Sequence, residues 1–409
     1  MTGQRSNGAG KVIHSALQGR AMMPPPFGIL AVAVGIAVLF LPVAALPAHV
    51  DISACRGMYD VLKAMRNGVP QDTVAGMLDE LLESPPYQVM FRHYNRSWRP
   101  NHLLKDVFKR MILSLQFDGL YRPGENERAD AMRARWTEFY PDLSRYESKL
   151  RQLESADLPK LIEDGVRYAQ SWLPPGWKIP DFSLMVIPNG GSPAFTIESN
   201  QGYDLLQLPQ GGPGELDLDW LVGTVAHESH HLGMRSMTPD SLTPADSMAY
   251  RVISLCIAEG AATEFISGPP GGCAPAVQGV PFHVFTPELA EAWKQLVNEE
   301  EDILNHQVAL LDQAAAGQLT EEVFGSQLRD YWFSGAVGRA YVLGADMFGA
   351  IHLAFGKEGV FSVMLDPRKL FESYNAALLV KPEALKRCPR VPDVAVRQAL
   401  AIGTIPPPK

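Results

Sequence analysis

The sequence predicts an α+β protein that is predominantly helical, with a small β-sheet just before its most informative helix. Two observations support this fold class. Apolar residues recur at three- and four-residue spacing through residues 51–172 and again from residue 218 onward, which is the period of amphipathic helices. Between these regions, residues 182–187 and 194–197 are short β-prone runs separated by a Pro/Gly/Asn turn cluster. We expect residues 205–208 to add a third strand.

Composition fits a globular protein and gives no support for nucleic-acid binding. The chain has 409 residues, of which 46% are hydrophobic and 20% charged, so it can bury a sizeable core. The formal net charge is −9, and no run of Lys and Arg interrupts this acidic balance. A protein that binds nucleic acid needs a basic surface, so we expect no nucleic-acid partner.

The N-terminus predicts export. Residues 27–48 contain no charged residue, and the segment before them carries Arg5, Lys11 and Arg20 without any acid. A basic segment followed by an apolar one and then by small residues is typical of a secretory signal peptide. The apolar run is also long enough for an N-terminal membrane anchor. We therefore interpret residues 1–48 as a signal peptide or anchor, and expect an extracytoplasmic protein, periplasmic or secreted.

The rest of the chain divides into two regions by pattern. Residues 49–175 form a helical N-terminal region, and residues 176–409 form the region that carries the chemistry. Residues 172–180 are rich in Pro and Gly and are typical of a linker. An even number of cysteines in an oxidising compartment permits two disulfides, in any of three connectivities. The four cysteines are Cys55, Cys256, Cys273 and Cys388.

The chemistry is predicted by a five-residue motif in the helical segment 218–232. On a helix, residues four apart differ by about 40° around the axis, so His227 and His231 lie on one face and can hold one metal ion. Glu228 lies beside them and can take a proton from a water molecule at the metal. The segment before the motif is apolar, and burying such polar groups unpaired would be costly. The motif therefore predicts a zinc site with Glu228 as general base.

A third ligand is expected from the next helix. Catalytic zinc has three protein ligands and one open position. Glu259 follows His231 by 28 positions and lies in the next predicted helix. The following Gly260 allows another backbone to approach closely. We therefore assign His227, His231 and Glu259 as the zinc ligands.

These motifs resemble the gluzincin metallopeptidases, over about residues 221–265. In the aminopeptidase N branch the third ligand is the Glu of an Asn-Glu-Gly-Phe-Ala stretch, and residues 258–262 here read Ala-Glu-Gly-Ala-Ala. The sequence is also similar to uncharacterised bacterial proteins described as zinc-dependent peptidases. The resemblance implies a gluzincin-like catalytic core and a peptide or protein substrate. One departure is Thr263, which stands where thermolysin-like enzymes have an Asp that orients a histidine.

The resemblance also implies an oxyanion donor. Residues 341–344 read Tyr-Val-Leu-Gly and are similar to the Tyr-x-x-Gly of aminopeptidase N relatives, whose Tyr stabilises the charge that develops on the substrate carbonyl. Tyr341 could instead be a packed helix aromatic, with Tyr331 as the rival donor. We interpret His352 as structural and His230 as non-ligating, because it points away from the two ligand histidines.

Two competing functions stay open at this stage. The same residues would serve a zinc hydrolase of a non-peptide amide or ester, and a structural zinc would serve a non-catalytic exported binding module. A closed structural site needs a fourth ligand, and no further His or Cys stands at a suggestive spacing. The strand Ala194–Ile197 could hold an extended substrate or simply pack in the sheet. The sequence does not indicate an oligomeric state.

Overall fold

The structure is a computed structural model, and it describes residues 49–96, 102–212, 215–237, 242–267 and 287–403. The predicted signal peptide or membrane anchor, residues 1–48, lies outside these residues, and so does Cys273. The described residues belong to one compact unit. The described residues are 68% helical and include a small mixed four-stranded sheet, which confirms the predicted α+β, predominantly helical class.

The N-terminal region is helical, as its apolar spacing predicts. Three of its helices begin at Asn126, Asp142 or Asp157, whose side chains accept hydrogen bonds from backbone N–H groups of the first turn. The helices are α1 (Ser53–Arg66), α2 (Gln71–Leu82), α3 (Pro85–Tyr94), α4 (Lys105–Leu113), α5 (Glu127–Phe139), α6 (Leu143–Ser155) and α7 (Leu158–Ser171).

A four-stranded sheet follows, and its first strand comes from the beginning of the described chain. The strands are β1 (His49–Asp51), β2 (Ser183–Val186), β3 (Ala194–Ile197) and β4 (Asn200–Tyr203), in the order β1-β2-β4-β3. β1 and β4 run parallel to β2, whereas β3 and β4 form an antiparallel hairpin. β3 is therefore an edge strand. A separate two-stranded ribbon joins β5 (Gln210–Gly212) to β6 (Glu215–Leu216).

The expected strand at residues 205–208 is wrong. The segment forms a 3₁₀ turn, Leu205–Gln207, because the carboxylate of Asp204 accepts hydrogen bonds from the backbone N–H of Leu206 and of Gly190 and so bends the chain. The strand that follows β3 is β4, which begins five residues earlier, at Asn200. The polar sequence of β4 does not predict a strand. The ring of Phe195 lies over Gly202 and supplies the apolar cover that the side chains of β4 lack.

The rest of the described chain is again helical. The helices are α8 (Leu218–Gly233), α9 (Pro244–Ala261), α10 (Pro287–Asn298), α11 (Glu300–Ala315), α12 (Glu321–Gln327), α13 (Arg339–Leu365), α14 (Leu370–Val380) and α15 (Asp393–Ala401). Wider π turns extend α9 over Ala262–Ile266 and α12 over Leu328–Trp332. α13 is interrupted at Gly356, whose φ of 66° lies in the left-handed region that glycine tolerates.

Among the described residues, α13 alone is long and apolar enough to cross a membrane by length and composition. A buried core helix meets the same criterion. The first half of α13 is buried almost throughout, and it packs along α9. Its apolar character is therefore explained by the core, and we infer no membrane span from it.

Two further expectations need correction. The segment 172–180 is not a linker, because the Trp172 ring stacks on Phe265 with 4.2 Å between centroids and Ile179 is buried. Two disulfides among four cysteines would join at least two of the three described cysteines to each other, and the structure contains no such bond between them. Those three, Cys55, Cys256 and Cys388, are free thiols.

Candidate metal centre

The two motif histidines meet on one face of α8, as their spacing predicts. The Nε2 atoms of His227 and His231 lie 3.1 Å apart. The side chain of Asp217 caps the start of the helix by accepting from the N–H of Trp220. The opposite face of α8 is anchored on α7, where Gly165 lets the two helices approach so closely that an added Cβ would lie 2.9 Å from the Val222 carbonyl oxygen. The pair is thus held on a firmly packed helix.

Glu259 completes the group from α9. Its Oε2 lies 3.6 Å from Nε2 of His227 and 3.4 Å from Nε2 of His231. Ligand atoms at the usual distance from a tetrahedral zinc ion are separated by about 3.3 Å, so all three spacings fit one ion. Oε2 is buried and has no hydrogen-bond partner. No fourth His, Cys, Asp or Glu among the described residues joins the group.

The three groups are electrostatically coupled. Burial disfavours the charged form of His231, but the neighbouring Glu259 carboxylate outweighs it and raises the pKa of His231 to about 9. Burial likewise disfavours the Glu259 carboxylate, but His231 and His227 outweigh it and hold its pKa well below the usual range. In the absence of a metal, the carboxylate thus attracts a proton to this site. A dication could satisfy the same donors.

Ser267 holds the ring of His227 from behind. Its Oγ lies 3.0 Å from Nδ1 of His227, so an Nδ1–H donor directs the Nε2 lone pair toward the centre. The sequence gives no signal for Ser267 in this role. Thr263, which stands where thermolysin-like enzymes have an Asp that orients a histidine, has a buried hydroxyl without a hydrogen-bond partner. The π turn after α9 brings Ser267 under the histidine, a contact between residues 40 apart in the chain.

Gly260 places the Glu259 helix directly against α13. A Cβ added at Gly260 would lie 2.3 Å from the carbonyl carbon of Gly344, and one added at Gly344 would lie 2.2 Å from the carbonyl oxygen of Cys256. The predicted close approach of a second backbone is therefore present. It puts Tyr341, one helical turn before Gly344, on the helix that crosses α9 next to the ligand Glu259.

Glu228 lies between the metal ligands and the sheet. Its side chain is 8% exposed, and its Oε2 accepts a hydrogen bond from the hydroxyl of Thr196 on β3. Phe195, the neighbour of Thr196, points to the other face and stacks on His93 with 4.0 Å between centroids. The edge strand β3 therefore has a defined role, which is to position this carboxylate.

The remaining candidates are two histidines and two tyrosines. His230 is buried with its Nε2 3.3 Å from the carbonyl oxygen of Trp172, and burial lowers its pKa to about 3, so it is a neutral structural histidine. His352 packs edge-on against Trp172, in keeping with a structural role. Tyr331 stacks on His306, whereas Tyr341 packs edge-on against Phe333.

A histidine pair on one helix, a carboxylate from the next and a separate buried acid beside them are the donor set of a zinc centre with an open position. The sequence matches over residues 78–382, about three quarters of the chain, the model of the family described as "Putative zinc dependent peptidase (DUF5700)". The chain belongs to this family. Its description confirms the resemblance to zinc-dependent peptidases and zinc as the metal. The comparisons with curated proteins and with solved structures each found no significant match.

Proposed function

We propose that the protein is an exported metallopeptidase of the gluzincin type that hydrolyses peptide bonds. The observation that carries the proposal is the convergence of His227, His231 and Glu259 within ligand distance of one another, with Glu228 beside them. Membership of a zinc-dependent peptidase family supports the substrate class. Export rests on the uncharged segment 27–48, with retention as a membrane anchor as the alternative to cleavage.

The proposed chemistry assigns a separate task to each residue. A zinc ion held by the three ligands would supply Lewis-acid chemistry, acidifying water and polarising a carbonyl group. Glu228 takes the proton of the attacking water and returns it to the leaving amine. The hydrogen bond from the Thr196 hydroxyl to Oε2 of Glu228 orients the carboxylate for this transfer. Tyr341 donates its phenol to the charge that develops on the carbonyl oxygen.

The test separates metal binding from catalysis. Zinc content would be measured on purified protein, and hydrolysis on a peptide library. His227→Ala and Glu259→Ala should lose most of the zinc, whereas His230→Ala, the matched control one residue from His231, should retain it. Equal zinc content in all three variants would contradict the ligand assignment.

Glu228→Gln should retain zinc and fold while losing hydrolysis by on the order of 100- to 10,000-fold, because a proton-transfer group is removed without a change of size. Tyr341→Phe should also retain zinc and lose on the order of 100-fold. Near-normal hydrolysis by the Glu228→Gln variant would refute the mechanism. A silent Tyr341→Phe change would refute only the oxyanion role.

Export has its own assay. A reporter fused after residue 60 should be active only outside the cytoplasm, because the basic and apolar N-terminal segments precede the fusion point. A reporter that is active in the cytoplasm would contradict the proposal.

A further inference from the structure

Arginine side chains flank the general base on the side of the sheet. Arg96 follows the end of α3, and its Nη2 donates a hydrogen bond to the backbone carbonyl of Thr196. The hydroxyl of the same Thr196 bonds to Glu228. A guanidinium group and the catalytic carboxylate are therefore attached to one residue of the edge strand, through its backbone and its side chain respectively.

The Thr196 carbonyl belongs to the outer edge of the sheet. Ile197 is paired with Asn200 across a two-residue turn, and Thr196 is paired with Gln201. In such a hairpin the residues flanking the turn exchange backbone hydrogen bonds, and the next pair does not. The N–H and C=O of Thr196 thus face away from β4, toward an incoming chain. Arg96 already donates a hydrogen bond to this carbonyl. At this point of the strand edge a substrate therefore meets the N–H donors of a guanidinium group and not a backbone acceptor.

Arg235 adds a second cation on this side. It lies seven residues after Glu228, in the 3₁₀ turn Met234–Met237 that continues α8, so it lies on the same face two turns further on. Its side chain is exposed, and among the described residues the carboxylate whose charge acts on it is that of Glu198. Burial lowers the pKa of Arg96, and the charge of Arg235 lowers it further, as expected for two neighbouring guanidinium groups.

The acids in this region do not neutralise both cations. Glu198, in the hairpin turn, lies 3.6 Å from Nη2 of Arg92, and its charge also acts on Arg96 and Arg235. Glu228 is held by Thr196 and belongs to the reaction. Among the described residues, three arginines therefore share two carboxylates on the sheet side, and the remaining N–H donors of Arg96 and Arg235 point to a further acceptor with negative charge.

We propose that Arg96 and Arg235 bind a carboxylate of the peptide substrate and so select acidic peptides. This inference rests on the proposed peptidase function and deepens it. Guanidinium groups bind carboxylates with paired, charge-assisted hydrogen bonds, which a neutral amide of the same shape cannot match. The carboxylate is either an Asp or Glu side chain near the scissile bond or the C-terminal group of a short peptide.

The experiment measures binding without turnover. Zinc-loaded Glu228→Gln protein would be titrated calorimetrically with one peptide in four forms, with Glu or Gln at a central position and with a free or an amidated C-terminus. Adding Arg96→Gln or Arg235→Gln tests the two proposed donors. Adding Arg92→Gln is the matched control, because Arg92 is an exposed arginine nearby that already pairs with Glu198.

We expect an acidic form to bind about tenfold to a hundredfold more tightly than its neutral partner, as charge-assisted hydrogen bonds imply. Arg96→Gln and Arg235→Gln should each reduce this ratio, whereas Arg92→Gln should leave it unchanged. The form that carries the preference identifies the source of the carboxylate. Equal binding of all four forms, or a preference that survives both donor changes, would overturn the arginine assignment alone. Failure to bind any peptide would overturn the peptidase function with it.

Discussion

A single methyl group at Gly260 should disturb both the core and the metal centre. In Gly260→Ala the new Cβ would lie 2.3 Å from the carbonyl carbon and 2.4 Å from Cα of Gly344, and both are backbone atoms that no side-chain rotation can move. Restoring ordinary contact needs the helices to separate by about 1 Å. Overpacking of this kind costs about 1–3 kcal/mol in the free energy of unfolding.

The same shift should reach the metal through the adjacent ligand. Zinc–ligand distances tolerate deviations of about 0.2 Å, so moving Glu259 by several times that amount should weaken zinc binding. Urea unfolding and competition with a chromogenic chelator would measure the two effects. Gly223→Ala is the matched control: it adds a methyl group to α8 with no atom within 4 Å, and should stabilise the helix by about 0.5–1 kcal/mol. Unchanged stability and zinc affinity in Gly260→Ala would refute the close crossing of the helices.

Other predictions concern groups around the site and in the core. Thr196→Val should lower kcat/KM about tenfold at unchanged zinc content, because Glu228 loses its hydrogen bond. Thr196→Ser should retain most of the activity, and equal rates in all three proteins would contradict the positioning role. Lys149 is buried and donates to three backbone carbonyls within residues 205–208, so Lys149→Met should cost about 1–3 kcal/mol in urea unfolding, and a neutral change would be contrary evidence. Burial and the neighbouring carboxyl group of Asp346 raise the pKa of Glu300 well above 4.5 in the folded protein. The contribution of Glu300 to stability is therefore present below pH 4.5 and is lost as the pH rises through this raised pKa. Glu300→Gln should flatten that dependence in unfolding experiments between pH 5 and 8, and identical slopes would refute it.

The proposed zinc ligands could be predicted from the sequence because their spacing along the chain places them. Four-residue spacing places His227 and His231 on one helical face whatever the fold around them, and the spacing to Glu259 places a carboxylate on the next helix. The structure brings the three together within 3.6 Å. The close approach at Gly260 was equally readable, because a glycine beside a ligand in a helix interior needs a packing reason.

The supporting groups were not predictable, because they depend on contacts between distant segments. Ser267 reaches His227 only through the π turn that ends α9, and a lone serine carries no signal of that role. Arg96 meets the site from the segment that follows α3, about 130 residues before the motif. The strand β4 has the polar sequence Asn-Gln-Gly-Tyr, and it is a strand because its backbone pairs with β2 on one side and β3 on the other.

The sheet before the motif helix can be understood from what Glu228 requires as the proposed general base. A carboxylate beside a metal must be held so that it does not bind the metal itself, and α8 cannot do this alone, since its ligand face is one residue away from Glu228. The edge strand supplies the missing restraint through Thr196. Arg96 in turn holds the Thr196 backbone, so the strand that positions the base also carries the charge we assign to substrate selection. Substrate recognition and base positioning would then meet at one residue through different groups. Thr196→Val removes the hydroxyl that holds Glu228 and keeps the carbonyl that holds Arg96, so it should lower the rate and leave the peptide preference unchanged.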